Sequence, residues 1–161
     1  MVDRLKRGAL GLQGVIVATL PSGASRVVCG LLGGFALACC FVPGFDVLNY
    51  YSGLAISIVG GLGVGLATAM GPQPAPGEML GRLLWKRLVT ALAICLIPLS
   101  VLLLNAIRVI NCDPETGLAF YAVGPGATML LAAVWGLAAL LVGRSRKRSA
   151  LFFLLVWTLW I

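Results

Sequence analysis

Five cysteines and no histidine set the chemistry open to this 161-residue chain. Without imidazole it lacks the commonest metal ligand and the group best suited to proton transfer near neutral pH. The five acidic residues, Asp3, Asp46, Glu78, Asp113 and Glu115, all avoid the long apolar stretches. Proton-coupled carriers usually hold an ionisable group at that depth. Thiol chemistry is what remains. Cys29 and Cys95 lie inside apolar runs and read as small packing residues. Cys39, Cys40 and Cys112 fall at the ends of such runs, and a membrane topology puts all three on one side. A disulfide from Cys112 to either Cys39 or Cys40 is allowed there if that compartment is oxidising. Glycine strings such as Gly60-Gly61-Leu62-Gly63 follow no strand and so make no phosphate loop. No catalytic residue, metal site or cofactor ligand set is expected.

The elements that hold these residues read as membrane helices. Hydrophobic residues make up 60% of the chain and charged ones 11%, with mean hydropathy +1.04, which excludes an ordinary soluble domain. Residues 47–77, 88–107 and 116–143 carry no ionisable side chain, and each is long enough to cross a hydrocarbon core of ~30 Å at ~1.5 Å per residue. The expected architecture is an all-α, polytopic transmembrane bundle. Its four full spans cover about 24–42, 47–70, 88–107 and 118–142, followed by a truncated fifth over 150–161, all in one membrane domain. Small residues recur every fourth position, which stacks them on one helix edge and lets another backbone come close. The first span has Gly30, Gly34 and Ala38, the second Gly53, Ser57, Gly61, Gly65 and Ala69, the fourth Gly124, Thr128, Ala132 and Gly136. Those three spans are the expected packed core, and the third the most lipid-exposed.

Charge placement fixes an expected direction. With a cytoplasmic N-terminus, only Arg108 of the twelve basic residues falls outside, close to Asp113 and Glu115. This follows the positive-inside bias, and its pattern of short clusters between spans excludes a nucleic-acid face. Residues 1–25 imitate a secretory signal, with Arg4, Lys6 and Arg7 ahead of an apolar run and Ser22-Gly23-Ala24 after it. Cleavage there would turn the later basic clusters outward, so an uncleaved N-terminus is expected, with residues 8–20 as an interfacial helix. Arg144, Arg146, Lys147 and Arg148 are expected at anionic lipid headgroups.

Proline punctuates the rest. Pro43 and Gly44 end the first span in a short hairpin turn, and Pro72, Pro74 and Pro76 make residues 71–77 a cytoplasmic spacer. Residues 78–87 are amphipathic and lead into the third span, where Pro98 predicts a kink. Gly124-Pro125-Gly126 predicts a break that separates residues 118–123 from the main fourth helix. The run that reaches Ile161 is too short to cross and suggests a chain whose remainder continues outside.

Residues 105–143 carry Asn111-Cys112-Asp113, Gly117-Leu118-Ala119-Phe120-Tyr121, Gly124-Pro125 and a small-residue helix ending in a basic loop. This stretch, about a quarter of the chain, resembles the N-terminal membrane region of uncharacterised bacterial multi-pass proteins. The resemblance implies further membrane helices and an extracytoplasmic domain beyond it, and transfers no catalytic residue. The chain also differs from the membrane thiol oxidoreductases of the quinone-linked and vitamin K epoxide reductase types, having no Cys-x-x-Cys pair. The expected role is therefore a module in the bacterial cytoplasmic membrane that anchors or positions a larger protein or complex. Its partners would be membrane lipid and other helices or a missing C-terminal region. A transporter or channel subunit is the alternative, and a membrane thiol oxidoreductase the second.

Overall fold

The computed structural model describes residues 23–74, 77–109, 113–143 and 145–160. They form helices α1 (Gly23–Cys39), α2 (Tyr50–Ala69), α3 (Leu80–Asn105), α4 (Pro114–Tyr121), α5 (Ala127–Val142) and α6 (Arg146–Trp160), with a π-helical turn at Ala122–Gly126 joining α4 to α5. Among the described residues there is no strand. Three helical runs are long and apolar enough to cross a membrane: α2, α3 and the continuous Pro114–Val142. Helix α1 is apolar but, at 17 residues, rises only ~26 Å.

Local chemistry explains where each helix stops and starts. The expected first span runs on to Val42, but α1 ends at Cys39. The next amides, Cys40, Phe41 and Val42, bond back to the third residue before them, a tightening that uses up the last carbonyls ahead of Pro43. The following turn places Gly44 at φ +87°, a conformation that favours glycine. Asn49 then starts α2, three residues later than expected. Its side chain accepts from the Ser52 amide at 3.0 Å while the Ser52 hydroxyl accepts from the Asn49 amide at 3.1 Å, a reciprocal cap for two otherwise orphaned donors. Of the amphipathic residues ahead of the third span, 80–87 are part of α3 itself.

The break expected at Gly124-Pro125-Gly126 does not occur. Proline removes one N–H and crowds the carbonyl four residues back. Widening one turn to π geometry accommodates both, and the Ala127 amide reaches Ala122 O five residues back. The fourth helix therefore begins at Pro114 instead of splitting into two segments. A similar widening is absent at Pro98, which sits inside α3 and is fully buried.

Helix α2 lies at the centre. It runs parallel to α5, with α6 antiparallel across both, while α1 and α3 pack together on the other side. Leu32, Ile56, Val64, Ile94, Leu102 and Met129 fill the space between α1, α2, α3 and α5. Phe153 and Trp157 fill the space under α6 against Ala69, Ala132 and Ala139. Of the three long runs, α3 is the most outward-facing, with 33% of its apolar window buried against 61% for α2.

Candidate functional site

The small-residue edge of α2 is where the chain's backbones come closest. A Cβ at Gly136 of α5 would stand 2.5 Å from Gly65 O and 2.9 Å from Thr68 Cβ, so the two helices touch backbone to backbone. Toward the other end, Gly53 lies under the Pro125 ring and Gly124 faces the Ser57 hydroxyl, 3.2 Å from its Cβ position. Thr128 and Trp157 together cover Gly61, the Phe153 ring covers Gly65, and the Met129 side chain covers Gly60. Ser57 and Thr68 cause no polar penalty, since their hydroxyls donate to the carbonyls of Gly53 and Val64, each at 2.8 Å. The stripes on the second and fourth spans thus meet each other.

The first-span stripe does not join them. Gly30, Gly34 and Ala38 are exposed, and a Cβ at Gly30 or Gly34 would meet nothing within 4 Å. Helix α1 instead turns Leu32 and Ala36 inward, and a Cβ at Gly33 would stand 3.5 Å from Ile97 Cγ2 of α3. The physical reason is volume: α5 and α6 occupy the bare edge of α2, so α1 packs on α3 and on another face of α2, where Val28 covers Gly63.

Among the cysteines, Cys39, Cys40 and Cys95 are buried, Cys29 is half-buried, and all four thiols are free. The proposed bridge to Cys112 lies outside the described residues. Cys40 is nonetheless held within an organised loop cluster. Its Sγ donates to Ala36 O at 3.3 Å, and its carbonyl accepts from Arg108 Nη2 at 3.1 Å. The same guanidinium stands over the Phe41 ring, 5.6 Å from its centre. Asn105 Nδ2 donates to Asp46 O at 2.6 Å, so the last residues of α3 clamp the turn between α1 and α2. Tyr50, Tyr51, Phe45 and Phe120 form edge-on and tilted ring pairs at this end. Asp113 caps α4, and hydrogen bonds from the side chain and backbone of Thr116 hold its carboxyl below the usual carboxylate range.

Tyr121 falls within the stretch that carries the resemblance, but the sequence assigns it no role. It is 3% exposed, and its hydroxyl donates to Cys95 O at 2.8 Å. That carbonyl is next to Ile94 O, the one that loses its helical donor at Pro98, so the π turn and the proline-bearing turn are tied at one depth. At the opposite end, Ser149 donates to Gly143 O and Ser145 O, each at 3.1 Å, and closes the α5–α6 corner. Arg146, Lys147 and Arg148 project outward from the first turn of α6, and Arg144 lies outside the described residues.

Two cavities among these helices have apolar walls. One of about 390 Å³ lies between α1 and α2, lined by Ala24, Val27, Leu31, Leu62, Gly63 and Met70 among others. Another of about 340 Å³ lies beside Tyr121. Among the described residues, no group of three or more His, Cys, Asp or Glu side chains is placed to hold a metal ion. No family model, curated protein or solved structure matches the chain.

Proposed function

We propose that this chain is an integral membrane module that positions a larger membrane protein or complex, and that it does so through α1. The observation that carries the reading is the contrast between two small-residue edges. That of α2 is filled by α5 and α6, whereas that of α1, at Gly30, Gly34 and Ala38, faces away from the bundle. In lipid such an edge is well suited to a second helix, because close backbone approach is what stabilises association there. The module would cross the bacterial inner membrane four times, through α1, α2, α3 and the Pro114–Val142 run, with α6 entering a fifth crossing and the N-terminus cytoplasmic. Support for that direction comes from Arg146, Lys147 and Arg148. Three cations in the first turn of a helix are opposed by its dipole, and anionic headgroups offset that cost.

A photo-reactive residue placed at Gly34 tests the role. It is expected to capture another membrane polypeptide, and Gly30→Leu in the same chain is expected to remove the adduct without loss of helix content. Capture of lipid alone would overturn the proposal.

A transporter subunit is the second reading. The π turn and Pro98, tied through Tyr121 and Cys95, put two irregular helices at one depth, an arrangement found where membrane proteins move or bind cargo. Flux through liposomes that Tyr121→Phe reduces would favour it.

A further inference from the structure

Where α2 ends and α3 begins, Arg87 is only 6% exposed although it carries a full charge. Its guanidinium packs against Gly71, where a Cβ would stand 2.8 Å from Nη2 and 2.9 Å from Nη1. Nη2 donates to Pro72 O at 3.3 Å. The cation also sits by the C-terminal carbonyls of α2, whose partial negative charge favours it. Pro72 O thus takes one of the two Nη2 hydrogens. Nε is different: it is buried and has no hydrogen-bond partner among the described residues. A charged N–H held from water without an acceptor is among the costlier arrangements in a protein.

Arg87 lines a cavity of about 140 Å³ whose wall also includes Gln73, Glu78, Lys86 and Thr90. Unlike the apolar cavities of the bundle, this one has three charged side chains in its wall. Lys86 Nζ stands 2.6 Å from Glu78 Oε1, so the carboxylate in the wall faces the lysine, and Lys86 itself is more than half exposed. Two cations against one carboxylate leave the cavity positive. Arg82, one turn earlier on α3 and exposed, adds to the field. The uncharged run of α3 begins at the next residue, Leu88.

We propose that this cavity binds a phosphate group, with Arg87 as the buried anchor through Nε–H and Lys86 as the mobile cation at its mouth. A guanidinium presents its donors in a fixed fork that matches a tetrahedral oxyanion, and a buried one holds it in place of water. The ligand is a phosphate monoester or diester, carried either by an anionic lipid headgroup or by a free phosphate. This site is separate from the basic corner at residues 146–148.

The full chain purified in a neutral, phosphate-free detergent tests it. Binding of inorganic phosphate and of phosphatidylglycerol is measured by native mass spectrometry and by the shift in Tm, with a phosphate-free glycolipid as control. The wild type is expected to retain at least one of the two phosphate compounds. Arg87→Lys is expected to bind it about tenfold more weakly, since a point cation cannot replace the fork. Lys86→Gln, at an exposed position that does not hold the fold, is expected to weaken it several-fold and decides the matter if the Arg87 variant does not fold. Retention of phosphatidylglycerol alone assigns a lipid site, and retention of inorganic phosphate assigns a soluble ligand. Absence of binding to either compound, or binding that Lys86→Gln leaves unchanged, overturns the proposal.

Discussion

At the scale of single residues, glycine has two opposite meanings in this chain, and identical spacing hides the difference. Gly136 is glycine because Gly65 O occupies the space a side chain would need. Gly136→Leu is therefore expected to cost more than about 3 kcal/mol, since the clash is with backbone that cannot move aside, and the variant should be recovered mainly as aggregate. Gly30→Ala meets nothing. It is expected to raise stability by about 0.5–1 kcal/mol, the usual gain from replacing a mid-helix glycine, readable as a higher Tm in detergent. Leu103→Ala, on the half-exposed face of α3, should fall between them and close to neutral. Tyr121 makes a different contribution. Tyr121→Phe keeps the ring in its buried place and removes only the bond to Cys95 O, so a loss of about 1 kcal/mol is expected. A loss near zero would mean that the carbonyl finds another donor.

At the scale of elements, capping decides the boundaries and proline decides the internal geometry. Asn49-x-x-Ser52 is readable in the sequence as a capping pair, yet hydropathy alone extends the second span back to residue 47 because Val47 and Leu48 are apolar. Leu48 is apolar for a tertiary reason: it is buried, and its carbonyl lies against Gly117 at the start of α4. Asp113 provides a pH-dependent counterpart at α4. Its carboxyl is held below the ordinary range in the folded chain, so its cap contributes fully above the unfolded value near pH 4. The contribution is lost as pH falls through the lower, folded value. The Tm difference between wild type and Asp113→Asn is accordingly expected to be constant above about pH 5 and to change only in acid, with the wild type losing ground. A difference that varies around neutral pH would rule this out.

At the scale of the whole molecule, charge separates the two ends of the bundle. Helices α1 and α2 join at the end that holds Asp46, Arg108 and Asp113, and α2 meets α3 and α5 meets α6 at the end that holds Arg82, Lys86, Arg87 and residues 146–148. If the basic end is cytoplasmic, Lys147→Cys in intact cells is expected to resist a membrane-impermeant maleimide that labels Glu115→Cys, and the pattern should reverse in inverted vesicles. The same division shows how far the sequence reaches. The all-helical class and the presence of long apolar runs able to cross a membrane were legible, because each depends on residues close together along one helix and on the cost of placing charge or an unbonded backbone in lipid. Which bare edges meet, and which one is left facing outward, was decided only by tertiary structure. So were the continuity of the helix through Gly124-Pro125-Gly126, the Tyr121 tie to Cys95 and the burial of Arg87 beneath Gly71. Each of these is a contest among distant segments for the same volume or the same donor, and spacing within one helix carries no information about who occupies that volume.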